Sequence, residues 1–374
     1  MEPQPGRERS FLRWIETRVN LTEIVSFLSA FGLLPTELDT RKPLREALRE
    51  AFSQPLPTYA RWPNILGILS FILFLFLAVS GTMMAFYYQP TAEAAYSAAT
   101  AIARDVSFGS LIQQVHRWAA TMFLLVLAAR VVRFFLAGLY ASGREVIWMV
   151  AVLSFVVGTF SDVTGRLLPW TARGYWTTVR AREVIDALPI VGPTVSFLVG
   201  GSGIDSLTLT RFYVLHIAVF PAALLILFYL HFSSIRRVGM SRVAEAPKSR
   251  SLRVAMYDVV LIVTFLVGVL MTFAVLWPHP FDVAADPFFT PPDARPPWYL
   301  LAPHTVLEMF PTIVPTFLRG LMLVILLAAV LFLPFLDRSG GTERHSRGFF
   351  ILGVAVMVAW GLLSLWGWHV EVSR

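Results

Sequence analysis

Three observations predict an all-α integral membrane protein with seven spans, a four-helix bundle followed by three further transmembrane helices, and a cytoplasmic N-terminus. First, 56% of the 374 residues are hydrophobic and only 15% are charged, against about 25% charged in an average soluble domain; the mean hydropathy is +0.65. Second, the apolar residues gather into stretches at 64–88, 111–136, 146–165, 212–232, 256–277, 317–336 and 349–368. Each is long enough to cross a hydrocarbon core of about 30 Å. Third, the basic residues are unevenly shared. Arg7, Arg9, Arg13, Arg18, Arg41, Lys42, Arg45, Arg49 and Arg61 precede the first span, and Arg236, Arg237, Arg242, Lys248, Arg250 and Arg253 lie between the fourth and fifth. Such loops stay on the cytoplasmic side, so an odd number of spans leaves the tail at Arg374 outside, in an orientation suited to a prokaryotic cytoplasmic membrane. The net charge of +7 follows from this bias and calls for no nucleic acid.

Four blocks follow in order. Residues 1–63 form a polar region in which 9–34 reads as an amphipathic helix lying on the inner membrane surface. Its dispersed charges do not match a cleaved signal peptide. Its second half, 35–63, is a candidate docking element on the inner face. Residues 64–232 form the four-helix bundle, 233–253 a basic linker and 254–374 the three-helix segment. Two outer connections, 169–211 and 278–315, are long for simple loops. The first contains Leu188-Pro189-Ile190-Val191-Gly192-Pro193, too short to span and expected to be interfacial. There is no cysteine, which excludes disulfides, thiolate-held iron–sulfur clusters and thioether-linked haem.

The chemistry lies in the second and fourth spans. His216 and His231 are 15 residues apart, and His116 is followed 14 residues on by Arg130. Both spacings return to one helix face about 21 Å along the axis. Two helices with two histidines each would clamp two haems, since a b-type haem takes a neutral imidazole from each side. Three of the four ligands are present. At the outer level His116 and His216 are accompanied by Gly81 and Gly165, which permit close approach, and by Arg117 and Arg211, suited to haem propionates. A lone intramembrane histidine is more simply a packing residue, but this constellation points to iron held through His116 and His216.

The inner level departs from the pattern. Arg130 keeps its proton and offers no lone pair to iron. Ala151 stands where a second glycine would precede Gly165 by 14 residues, with Phe155 one turn on, while Gly67 keeps the corresponding place before Gly81. A bis-histidine inner haem is therefore expected to be absent. Two alternatives stay open: His231 acts with another ligand, or Arg130 fills the space, paired with a carboxylate or a lipid headgroup.

Several segments, in order along the chain, resemble the cytochrome b family of quinol oxidoreductases, in the bf-type arrangement of a cytochrome b and a subunit IV. They are Phe86-Tyr87-Tyr88-Gln89-Pro90-Thr91, Val115-His116-Arg117-Trp118, Val163-Thr164-Gly165, Leu168-Pro169-Trp170, Gly174-Tyr175-Trp176, Leu209-Thr210-Arg211-Phe212-Tyr213, Ala285-Asp286-Pro287-Phe288 and Pro296-Pro297-Trp298-Tyr299. The resemblance covers about 64–368. It implies a p-side haem b at His116 and His216, an altered n-side site at Arg130, His231 and Ala151, and a quinol pocket at Pro296, Pro297, Trp298 and Tyr299. The family's loop motif is Pro-Glu-Trp-Tyr, whose carboxylate is assigned to receiving a quinol proton. Pro297 occupies that place and cannot accept one. Asp162 and His304 are the candidate replacements, and Asp293 and Glu308 read as solvated loop charges.

The expected function is a haem b-containing electron-transfer subunit of a quinol:cytochrome c oxidoreductase-type complex, with the p-side haem alone and no bifurcating Q-cycle. The alternative is a structural or assembly paralogue that scaffolds a membrane redox complex without oxidising quinol. Expected partners are the lipid bilayer, quinol, an outer-side cytochrome c or iron–sulfur protein and, within a multi-subunit complex, a second copy of the chain.

Overall fold

The computed structural model describes residues 16, 18–29, 38–53, 55–56, 65–140, 143–199, 203–238, 250–291, 294–309, 314–337 and 346–370. The N-terminal region contributes α1 (Leu21–Ser29) and α2 (Leu44–Ser53). Of the single surface helix expected over 9–34, α1 is helical while residues 18–20 are turn and irregular backbone, and 9–15, 17 and 30–34 lie outside the described residues. In the second half of the region the described residues make contacts inside the chain. Leu38, Ala47 and Ala51 pack against Met256, and the strand Pro55–Leu56 pairs antiparallel with Arg250–Ser251.

The bundle consists of α3 (Leu66–Ala85), α5 (Gly109–Leu136), α6 (Glu145–Leu167) and α9 (Ser206–Val238), with α4 (Ala95–Asp105) between the first two. Helix α3 packs on α5, α9 on α6, and α5 on α6. Their boundaries follow local chemistry. The Asp205 carboxylate accepts the Thr208 N–H, and the Thr208 hydroxyl accepts the Asp205 N–H in return, a reciprocal cap for α9. Helix α9 is interrupted by a π-turn at Leu215–Val219. Pro221 explains it: proline lacks the N–H that would bond the Ile217 carbonyl, and its ring crowds that carbonyl. A π-turn inserts one residue into a helix. The 15-residue spacing from His216 to His231 then matches the 14-residue spacing from His116 to Arg130.

Both long outer connections differ from the loops expected. The first holds α7 (Ala172–Asp186) and α8 (Val191–Val199), and the second holds a 3-10 turn (Trp298–Leu300) and α11 (Leu301–Met309). Thr171 starts α7 by accepting the Gly174 N–H. Turns of helix satisfy backbone groups internally near the membrane edge, where open loops leave them exposed.

The second block is α10 (Leu252–Leu276), α12 (Thr316–Leu331), α13 (Leu333–Leu336) and α14 (Arg347–Val370). Among the described residues, six helices, α3, α5, α6, α9, α10 and α14, are long and apolar enough to span. The expected span 317–336 is divided at Phe332. Pro334 has no N–H for the Val330 carbonyl, and the Trp148 indole N–H of α6 reaches that carbonyl instead, at 2.8 Å. Nearby, the Tyr140 hydroxyl donates to Asp337 at 2.7 Å. On the opposite face the blocks are joined by backbone: Ala172 N–H to the Val283 carbonyl and Ala285 N–H to the Trp170 carbonyl, both 2.9 Å.

Candidate functional site

His116 lies two turns inside α5 and His216 ten residues inside α9. Their ring centroids are 6.2 Å apart. The Ser80 hydroxyl donates to the Phe76 carbonyl at 2.6 Å and so presents its oxygen to His116 Nδ1 at 2.8 Å. His216 Nδ1 donates to the Ser161 carbonyl at 2.9 Å. Both protons are thereby fixed on Nδ1, which leaves both Nε2 lone pairs for a metal.

The separation fits a bridged iron. Two metal–nitrogen bonds of roughly 2 Å, each extended by about 1 Å to the ring centre, sum to about 6 Å. The glycines supply the room: a Cβ on Gly165 would lie 2.5 Å from His216 Cε1, and one on Gly81 would lie 3.2 Å from His116 Cε1. Arg117 is exposed beside the site. Arg211 points to the Phe197 carbonyl at 3.5 Å.

The Pro-Pro-Trp-Tyr segment meets this site through α6. Pro296, Pro297 and Tyr299 are buried and Trp298 is exposed. The Tyr299 hydroxyl donates to Asp162 Oδ2 at 2.7 Å, and Arg166 Nε donates to the same oxygen at 2.6 Å. Burial and then the Asp162 charge hold the Tyr299 phenol well above its usual range, so it remains a donor. Both bonds fall on Oδ2, and among the described residues Oδ1 has none. Asp162 directly follows Ser161, whose carbonyl holds His216. The sequence brought out Asp162, but not its contact with Tyr299; Arg166, one turn along α6, is the partner it missed.

His304 is placed elsewhere: buried in α11, it faces Glu183 of α7 across 3.4 Å. Burial alone would raise the Glu183 carboxyl, but the hydrogen bond from His304 and the charge of Arg180 outweigh it and hold the group below its ordinary value. That contact ties α11 to α7. Glu308 is exposed, as is His369, while Asp293 and His345 lie outside the described residues.

His279, which the sequence left without a role, anchors the second outer segment. Its backbone exchanges hydrogen bonds with the Gln114 amide, at 2.7 and 3.0 Å, and its ring lies 4.7 Å from Trp118. Burial first, then the charges of Arg117, Arg166 and Arg173, push its imidazole down to about 4. An unfolded histidine titrates near 6.5, so between those values the unfolded chain binds the extra proton and stability falls as pH falls. The thermal midpoint of the solubilised protein is expected to drop on acidification through that window. His279→Gln should flatten this part of the pH profile.

The inner level differs from the outer. His116 and His216 are partly open, whereas Arg130 and His231 are each 1% exposed. Phe71, Phe74, Phe123, Phe228 and Phe232 pack into one core beside them, and Phe134 stacks on His231 at 6.2 Å. Ala151 is fully buried among Phe134, Phe135 and Trp148. Phe155 packs against the phenylalanine core and against Leu124, Val163 and Tyr299. An arginine in a ligand's position, with no lone pair to offer iron, does not fit a second bis-histidine haem. The outer residues do fit one.

A membrane bundle that brings two imidazoles within 6.2 Å of each other, joined to a second helical block, defines a transmembrane haemoprotein. Residues 52–239 match the family model Cytochrome b/b6/petB, and residues 284–371 match Cytochrome b(C-terminal)/b6/petD. Cytochrome b6 of Stigeoclonium helveticum is 37% identical over 204 residues, 54% of this chain and 95% of that protein. Cytochrome b6 of Tupiella akineta is 39% identical over 190 residues, 50% of this chain and 88% of that protein. A solved chain titled "Hyperthermophilic respiratory Complex III" is similar with a TM-score of 0.75 and 25% identity, over 88% of this chain and 90% of that one. The chain belongs to the cytochrome b/b6 family, with a b6-like part fused to a subunit IV-like part. It is an integral, multi-pass, haem b-binding subunit of a quinol-oxidoreductase-type complex.

Proposed function

We propose that this chain is the quinol-oxidising subunit of a bc/bf-like complex that carries one haem b, on the outer side, held by His116 and His216. The observation that carries this reading is the contrast between the facing outer imidazoles, 6.2 Å apart, and the buried Arg130 that replaces their inner counterpart. Haem b, when bound, would accept one of the quinol's two electrons, and the outer-side cytochrome c or iron–sulfur partner would take the other. The chain's own residues bind quinol under the second outer segment, against Pro296, Pro297, Trp298 and Tyr299. Asp162 replaces the missing loop acid. Tyr299 and Arg166 orient it through Oδ2, and Oδ1 is left to accept the quinol hydroxyl proton.

With no inner haem, electrons have no path to the cytoplasmic side, and a bifurcating cycle does not run. The outer face, where the two blocks are joined, receives a cytochrome c or iron–sulfur partner, and two copies of the chain form the core of the complex. All seven apolar segments cross the membrane, α12 and α13 together making the sixth, with the N-terminus inside and the C-terminus outside, in a prokaryotic cytoplasmic membrane. Residues 64–232 and 254–374 act as the two functional halves, joined by 233–253.

Loss of the loop acid at Pro297 favours a second reading, a scaffold that does not oxidise quinol. The test is a haem-to-protein ratio by pyridine haemochrome, combined with anaerobic addition of quinol. One haem per chain, reduced by quinol and protected by a quinol-site inhibitor, is expected. Two haems per chain would exclude the one-haem reading, and a haem indifferent to both additions would favour the scaffold.

A further inference from the structure

Arg130 is buried in the bundle without a counter-charge. Its Nη1 donates to the Ser70 hydroxyl over 3.4 Å, while Nε and Nη2 have no acceptor. Ser70 donates its own proton to the Gly67 carbonyl at 2.8 Å, so it only accepts from Arg130. His231 Nδ1 beside it is also buried without a partner. Among the described residues no carboxylate pairs with Arg130. An unpaired charge at this depth is strongly disfavoured, and intramembrane arginines find a partner.

The pattern of vacancies is specific. Nε and Nη2 form the side-on edge of the guanidinium, the fork that matches two oxygens of one carboxylate or phosphate group. Nη1, the nitrogen outside that fork, is the one already used. The third vacancy, His231 Nδ1, adds a donor when it carries the ring proton. Gly67 makes room for that ring, since a Cβ there would lie 2.8 Å from His231 Nε2. Toward the nearer ends of both helices stand further cations, Arg133 on α5 and Arg236 and Arg237 on α9. They raise the local concentration of anions at that end.

We propose that the altered inner site binds an oxyanion, a carboxylate or phosphate group held bidentately by Nε and Nη2 of Arg130. The position that serves iron ligation elsewhere in this family has become an anion site. Two sources share the chemistry, a phospholipid headgroup and a free small anion.

The purified complex distinguishes them. Its thermal midpoint, followed by loss of the haem absorbance, is measured against inorganic phosphate and formate, with chloride holding the ionic strength constant. Phosphorus retained per chain after exhaustive delipidation is measured in parallel. A ligand that binds only the folded state raises the midpoint saturably. A saturable rise in the wild type that Arg130→Gln abolishes supports a free anion. One retained phosphorus per chain, lost in Arg130→Gln, supports a lipid.

Arg130→Lys keeps the charge without the fork. It is expected to raise the half-saturating concentration about tenfold, and it serves as the variant if the glutamine form does not assemble. A wild type with neither a saturable response nor retained phosphorus overturns the proposal. So does a response in either variant equal to that of the wild type. A second haem in the same preparation also overturns it, because porphyrin would then occupy this space.

Discussion

His216→Ala is expected to abolish the b-type spectrum of the purified chain, whereas His231→Ala is expected to leave it unchanged. In a protein with two bis-histidine haems, each substitution would remove about half of the absorbance. The asymmetry follows from the outer pair alone having both Nδ1 atoms bonded and both Nε2 lone pairs free, while the inner partner is a buried arginine. His116→Ala should behave like His216→Ala, since one imidazole cannot hold a six-coordinate b haem. Quantitative haemochrome spectra on matched amounts of folded chain decide it. A halved spectrum in His231→Ala would mean that the inner site is loaded.

Asp162→Asn should lower quinol oxidation by about 10²–10⁴-fold, the usual contribution of a positioned general base, with the haem spectrum intact. Asparagine has nearly the same shape and can still accept the Tyr299 hydrogen bond, now 2.7 Å to the carboxylate. A fold defect is therefore not the expected cause of the loss. Steady-state turnover with a soluble quinol analogue measures the change. Undiminished turnover would return the role of proton acceptor to another group. Tyr299→Phe should cost less, because it removes an orienting bond and leaves the base.

Much of this protein is legible along the chain. Apolar stretches report their own length, and the 14- and 15-residue spacings report a shared helix face with little interference from the rest of the fold. The pair His116 and His216, proposed to hold haem, and the arginine at position 130 could be singled out in this way. Helices hidden in the outer connections could not. Residues 172–186 mix charged, small and aromatic side chains, and 191–199 is a nine-residue stretch holding Pro193; their order comes from docking on α6, α9 and the second outer segment rather than from periodicity.

Pro221 was visible, but its consequence, a π-turn that brings the two spacings into register, depends on how α9 relieves the clash. What no local pattern carries is partnership between distant residues. Asp162 and Tyr299 are 137 positions apart, and nothing in either neighbourhood names the other. The open fork of Arg130 is likewise visible only when every surrounding helix is in place, because an absent partner is a property of the whole packed shell. Hydropathy and helical period arise from bonds along the backbone, so the chain displays them directly. Proton acceptors and counter-charges are set by packing between helices, and they emerge only when the bundle closes.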